Sequence, residues 1–174
     1  MRIVSGSLKG MQIVLPKDSK VRPTTDKLRS ALFSILGDNV EGARVLDGFA
    51  GSGAFGIEAI SRGAGYVFFN DLNIEAVKRN TATVQKSLFT IKKGSFLAGG
   101  FGAGYNIIFI DPPYGMINSE KNLEVIDTHN LLAENGIIVY EEFYKTPFSI
   151  TEAFLLTDER RYGDTVVRFL EKKP

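Results

Sequence analysis

The sequence has no cysteine, one histidine, and no apolar run long enough to cross a bilayer. Without cysteine there is neither a disulfide framework nor a thiolate metal site, and nothing points to an oxidising compartment. A lone His129 cannot hold a metal unaided. The N-terminus lacks a continuous apolar stretch after its charge, so it does not read as a secretory signal. These absences imply a soluble, cytoplasmic protein with no membrane partner. With 174 residues, 44% of them hydrophobic, residues 1–174 are expected to form one globular domain with a real core. Residues 1–23 then serve as an N-terminal hairpin and connector.

The small net charge of +1 hides an uneven distribution. Seven basic residues (Arg2, Lys9, Lys17, Lys20, Arg22, Lys27, Arg29) face only Asp18 and Asp26 within residues 1–36, which gives +5 there and −4 in the remainder. Either the N-terminal part meets a polyanion, or this is a solvated charged face; charge alone favours the second reading.

Along the chain, strands and helices alternate. Arg2 to Val4 and Met11 to Leu15 are β-prone runs around SGSLKG, a hairpin pattern. Pro16 to Pro23 reads as an extended connector, since Arg22 precedes a proline. Thr24 or Thr25 can cap a helix whose apolar stripe is Leu28, Ala31, Leu32, Ile35 and Leu36, ended by Gly37; Lys27 and Arg29 lie off that stripe. From Arg44 the pattern becomes β-α-β. Val45-Leu46 is a strand, Ala54 to Arg62 a helix, and Tyr66 to Phe69 the next strand. A helix capped by Asn73 runs to about Lys86, followed by a strand at Phe89 to Lys92. AGGFGAG, residues 98–104, reads as a flexible loop before the Ile107 to Ile110 strand. A helix over Glu120 to Leu132, a strand at Gly136 to Tyr140, and a closing hairpin of Phe154 to Leu156 with Thr165 to Leu170 complete the pattern. Strands flanked by helices imply an α/β fold with a mostly parallel sheet covered on both faces.

Two motifs carry chemistry. In VLDGFAGSGAFG, residues 45–56, Gly51, Gly53 and Gly56 satisfy G-x-G-x-x-G, and Asp71 follows Gly51 by twenty residues. This is the spacing of a dinucleotide-binding loop, in which a ligand approaches the backbone at a helix N-terminus and the acid receives ribose hydroxyls. Asp47 argues against a dinucleotide, because a carboxylate beside the loop repels pyrophosphate and favours a cation. It suits the amino group and nearby sulfonium of S-adenosylmethionine. A purely structural glycine turn is the alternative. The second motif is Asp111-Pro112-Pro113-Tyr114, at the C-terminal end of a central strand, where open α/β sheets bind ligands. An isolated DPP can be only a rigid turn; beside a cofactor-type loop, its prolines fix an acid and a carbonyl oxygen on one point.

DPPY together with VLDGFAGSGAFGIEAISRGA resembles the class I methyltransferases that modify exocyclic amines of bases. MRIVSGSLKG, RPTTDKLRSALFSIL and YGDTVV narrow the resemblance to the small-subunit ribosomal RNA methyltransferase D family, guanine-N2 enzymes, from Arg2 to about Phe169. The resemblance implies a Rossmann-like, seven-stranded class I fold preceded by a hairpin and helix. It implies S-adenosylmethionine as cofactor, with Asp47, Gly51, Ser52 and Gly53 at its methionine part, Asp71 at its ribose, and Ser95 and Phe96 on the adenine side. It makes Asp111, Pro112, Pro113 and Tyr114 the catalytic set: Asp111 and the Pro112 carbonyl accept the two N–H bonds of the amine, and Tyr114 stacks on an unpaired or flipped base. No metal or covalent nucleophile is required. The chain departs from the family pattern in having Gly94-Ser95-Phe96 where an acid usually meets the adenine amine, Gly48 where a bulkier residue is common, and Ser30 in place of an acid.

The expected partner is ribosomal RNA or a partly assembled small ribosomal subunit, met by a monomer. Lys9, Arg22, Lys27 and Arg29 become candidate phosphate contacts, with Arg22 and Thr25 alternatively bracing the cofactor pocket. Near-neutral total charge fits a structured RNA better than long bare duplex. An adenine-N6 methyltransferase and a noncatalytic nucleotide- or RNA-binding Rossmann module are the competing readings. His129 is expected at a helix end or on the surface; Phe49 and Phe143 are as readily packing residues as pocket walls.

Overall fold

The structure is a computed structural model that describes residues 1–16, 26–113 and 118–174. The proposed helix caps Thr24 and Thr25 and most of the connector lie outside those residues. The described elements are α1 (Asp26–Leu36), β1 (Arg44–Asp47), α2 (Ala54–Ser61), β2 (Tyr66–Asp71), α3 (Glu75–Asn80), β3 (Phe89–Lys93), β4 (Tyr105–Ile110), α4 (Ser119–Thr128), β5 (Leu132–Phe143), β6 (Phe154–Tyr162) and β7 (Thr165–Lys172). Seven strands form one sheet in the order β3-β2-β1-β4-β5-β7-β6. The first five are parallel; β7 runs antiparallel between β5 and β6. The chain steps outward from β1 through β2 to β3, then returns to place β4 on the other side of β1. The topological switch therefore falls between β1 and β4, where ligands bind in such sheets.

Alternation along the strands builds two apolar layers. Val45, Ile107, Phe109 and Val139 face a core with Leu32, Phe33, Phe55 and Val77, from α1, α2 and α3. Leu46, Ile108, Ile110 and Ile138 face a core with Leu123 and Ile126 of α4 and with Phe96. Strands buried on both faces read as continuous apolar runs, which is why NIIFI shows no polar alternation.

The N-terminal segment makes a single antiparallel bridge, Arg2 to Gln12, flanked by hydrogen bonds from Ile3 and Ile13 N–H to the Met11 and Met1 carbonyls (both 3.0 Å). It is held by the far end of α2 more than by its own pairing. Glu58, fully buried, accepts from the N–H groups of Val4 (2.8 Å) and Ser5 (3.0 Å). Ser61 takes the Leu8 N–H on its hydroxyl (2.9 Å) and the Ser7 N–H on its carbonyl (2.7 Å).

Several expected boundaries are corrected. The helix after Asn73 spans only Glu75–Asn80: Thr81 turns its hydroxyl back to the Val77 carbonyl (2.8 Å), and Asn80 spends its amide on tertiary contacts. The helix expected to reach Leu132 ends at Thr128, because Asn130 adopts a left-handed conformation (φ 48°); Leu132 already belongs to β5. The glycine-rich stretch 98–104 is pinned, not free. Phe101 is buried within it, and the Lys92 ammonium donates to the Gly99 and Gly100 carbonyls (2.5 and 3.3 Å).

Candidate active site

β1 ends in Asp47, and the chain turns through the glycine loop into α2. Gly53 precedes the helix with φ 79°, and no side chain caps it from within the loop. Asp47 does so from the strand: its carboxylate, only 3% exposed, accepts the Gly56 N–H (3.1 Å) in the helix's first turn. Gly56 is required by space, since a Cβ there would lie 2.2 Å from the Phe69 ring. Helix and sheet thus approach closely enough for the loop to sit over the strand ends.

Burial pushes the Asp47 carboxyl up to about 7 against the relief of the Gly56 hydrogen bond, and the charges of Asp71 and Asp111 push the same way. The electrostatics therefore tie together carboxylates from the ends of β1, β2 and β4. Asp71, half-buried, accepts from the Gly51 N–H on one oxygen and the Asn73 N–H on the other, both at 2.8 Å. It holds the glycine loop while each oxygen keeps acceptor capacity.

Two asparagines that the sequence reading passed over complete the loop's support. Asn70 receives the Ala50 N–H on its main-chain carbonyl (2.9 Å) and donates its side-chain amide to the Gly48 carbonyl (3.0 Å). Asn80 donates to the Ser52 carbonyl (2.8 Å) and clasps Val14 through both its N–H and its C=O (2.9 Å each). The signal was present: asparagine is a poor strand residue, yet Asn70 follows the β-prone run YVFF and is itself buried.

On the other side of the switch, Asp111 leaves β4 half-buried, followed by buried Pro112 and half-buried Pro113. Tyr114 lies outside the described residues. Behind this turn the fully buried Asn122 and Tyr140 join α4 to β5, Asn122 donating to the phenol oxygen at 2.9 Å.

The remaining expected site residues divide. Ser95 is exposed and accepts the Leu97 N–H (3.3 Å), opening a short turn. Phe96 is 1% exposed and stacks on Phe101 with centroids 5.2 Å apart. Its ring is packed in the core, which leaves the Phe96 main chain as the part on the outer side. It also explains Gly48: a Cβ there would meet that ring at 2.8 Å. Among the expected RNA contacts, Arg29 is overturned outright. It is 0% exposed, pairs with Glu58 (3.3 Å) and Asp26 (3.0 Å), and donates to the Arg2 carbonyl. Lys9 and Lys27 are exposed, but the turn carrying Lys9 docks at the far end of α2 from the glycine loop. Arg22 lies outside the described residues.

A doubly wound sheet with a glycine loop and acid at β1, an acid closing β2, and an acid-Pro-Pro turn at the switch defines a domain of the class I methyltransferase fold. The family model described as "Conserved hypothetical protein 95" matches residues 1–171. The chain belongs to this family, that of the small-subunit ribosomal RNA methyltransferase D proteins. It is 34% identical over 183 residues to "Putative rRNA methyltransferase YlbH" of Bacillus subtilis, covering 99% of this chain and 100% of that one. It is 34% identical over 151 residues to "Ribosomal RNA small subunit methyltransferase D" of Escherichia coli, covering 81% and 74%. A solved structure titled "Putative methyltransferase yhhF from Escherichia coli" superposes with a TM-score of 0.86 at 28% identity, covering 99% and 98% of the two chains.

Proposed function

We propose that the protein transfers a methyl group from S-adenosylmethionine to the exocyclic N2 amine of a guanine in small-subunit ribosomal RNA, free or within a partly assembled subunit. The observation that supports this reading is that Asp47, Asp71 and Asp111 stand at the ends of the neighbouring strands β1, β2 and β4, with the charges of Asp71 and Asp111 acting on Asp47. A relative covering most of the chain bears the name of a ribosomal RNA small subunit methyltransferase.

The residues fit the donor. Among the described residues no basic side chain pairs with Asp47, so its buried carboxylate is the environment that a cationic ligand relieves. Asp47 and the Gly51-Ser52-Gly53 turn would hold the methionine part, Asp71 would accept the ribose hydroxyls, and Ser95 with the Phe96 main chain would border the adenine. Bound there, S-adenosylmethionine supplies an electrophilic methyl group on a sulfonium.

The target amine is a poor nucleophile because its lone pair is delocalised into the purine. The Asp111 carboxylate and the Pro112 carbonyl accept its two N–H bonds, so the nitrogen pyramidalises and its lone pair is freed. Charge-assisted acceptors at fixed positions contribute about 3 kcal/mol, the scale of one oxyanion-hole donor. The two prolines prevent the turn from relaxing away from the amine. Tyr114 is assigned to stacking on the flipped base from its place in the sequence.

Calorimetry with S-adenosylmethionine and with NAD, followed by transfer of labelled methyl groups to small-subunit RNA from cells lacking the enzyme, tests this reading. Donor binding and RNA labelling support it. Tighter binding of NAD, or donor binding without RNA labelling, overturns it.

A further inference from the structure

The end of β5 and the tip of the β6–β7 hairpin lie on the same edge of the sheet as the acids. β5 is parallel to β4, and Ile110 pairs with Tyr140, so Phe143 stands beyond the level of Asp111 in the same direction. Phe143 faces Thr165 across the antiparallel pairing, and the Tyr144 N–H donates to the Asp164 carbonyl (2.9 Å). The β6–β7 turn is thereby fixed beside the end of β5, at the sheet edge that carries the acids.

This corner combines aromatic faces with uncompensated positive charge. Phe143 meets Tyr144 edge-on with centroids 4.9 Å apart, and the Arg161 guanidinium lies 3.8 Å from the Tyr144 ring centre. The Lys145 ammonium is 5.4 Å from the same ring. Phe143 and Tyr144 are half-buried; Lys145 and Arg161 are exposed. The neighbouring arginines are neutralised: Arg160 pairs with Asp158 (2.8 Å), and Arg168 with Glu142 (2.9 Å) and Glu159 (2.6 Å). Arg161 instead donates its Nε to the Gly163 carbonyl (2.8 Å) and, like Lys145, has no carboxylate partner among the described residues. Stacking on Tyr144 fixes the guanidinium plane and leaves its terminal amino groups for another acceptor.

Resting on the RNA reading above, we infer that Phe143, Tyr144, Lys145 and Arg161 form a docking platform for the unpaired nucleotides next to the target base. Bases stack on the solvent-facing part of the two rings, and phosphates meet Arg161 and Lys145. A target base drawn out of its stack leaves neighbours that have lost stacking partners, and an aromatic surface beside the catalytic turn replaces them. This differs from the basic N-terminal region, whose Arg29 is internal.

Steady-state methylation of small-subunit RNA by Tyr144→Ala and Arg161→Ala tests the platform. Each substitution is expected to raise the KM for RNA about tenfold while kcat and donor affinity stay at wild-type values, with Tyr144→Phe restoring wild-type KM. Arg161→Ala should also flatten the dependence of log affinity on log salt by about one unit. An unchanged KM in Tyr144→Ala overturns the inference, as does a parallel loss of donor affinity, which would make the corner merely structural. A fluorescent oligouridylate separates this inference from the methyltransferase reading. Weaker binding by Tyr144→Ala than by wild type supports the platform even if no RNA is methylated; equal binding by both overturns it.

Discussion

Arg29 and Glu58 meet with both side chains fully buried, Nε to Oε2 at 3.3 Å, and Glu58 also carries the backbone of Val4 and Ser5. A charge on α1, a charge on α2 and the N-terminal hairpin thus close on one point. Removing Glu58 leaves the buried Arg29 with only the exposed Asp26 (3.0 Å), and removing Arg29 leaves the buried Glu58 with only Arg62 (2.8 Å). Glu58→Ala should lower the unfolding free energy by about 3–5 kcal/mol, measured by chemical denaturation, because Arg29 and two N–H groups lose their acceptor together.

The hairpin's seat on α2 leaves no room at Gly6. Its φ is 82°, and a Cβ would fall 1.7 Å from the Ser61 carbonyl oxygen. Gly6→Ala should cost about 1–3 kcal/mol of strain or release the hairpin. Limited proteolysis should then cut within residues 1–16 well before the sheet, whereas wild type resists there.

Gly48→Ala probes the wall behind the glycine loop. Its Cβ would press on the Phe96 ring at 2.8 Å and on Ile110 at 3.1 Å. Overpacking of about 1–3 kcal/mol is expected, with weakened donor binding in calorimetry.

The buried Asp47 gives a pH signature. Its carboxyl is raised in the folded state to about 7, first by burial, from an ordinary value of 3.8. The folded protein therefore binds the proton more tightly than the unfolded chain. The stability this contributes is fully present below the ordinary value and is lost as pH rises toward 7, at roughly 1 kcal/mol per pH unit. Glu142, raised to about 7 chiefly by burial, acts with the same sign. Asp47→Asn should flatten the fall in denaturation midpoint between pH 4 and 7 without abolishing it. A cationic donor favours the ionised carboxylate, so wild-type donor affinity should rise with pH up to about 7. In Asp47→Asn it should stay level.

Strand and helix identities were legible because their signals are periodic and local. The apolar runs of β1, β4 and β5 and the stripe on α1 gave the doubly wound architecture, and the glycine spacing placed Asp47 and Asp71. What escaped was set by tertiary contact. Arg29 lies off the apolar stripe of α1 and so reads as solvent-facing, yet Glu58, 29 residues away, draws it inside. Phe96 sits in the Gly94-Ser95-Phe96 stretch that the resemblance sets on the adenine side, but its ring fills the space over Gly48 in the core. The early stop of α4 was readable in Asn130, a residue that tolerates the left-handed turn, and was obscured by Leu131 and Leu132 continuing the apolar count.

The central claim is that Asp111 and its prolines aim a guanine amine at the donor. It is tested most directly by incubating wild-type and Asp111→Ala protein with labelled S-adenosylmethionine and small-subunit RNA from cells lacking the enzyme, then identifying the labelled nucleoside by mass spectrometry. Wild type should yield N2-methylguanosine, and Asp111→Ala should yield none while binding the donor as wild type does. Label in N6-methyladenosine, or undiminished transfer by Asp111→Ala, would contradict the account.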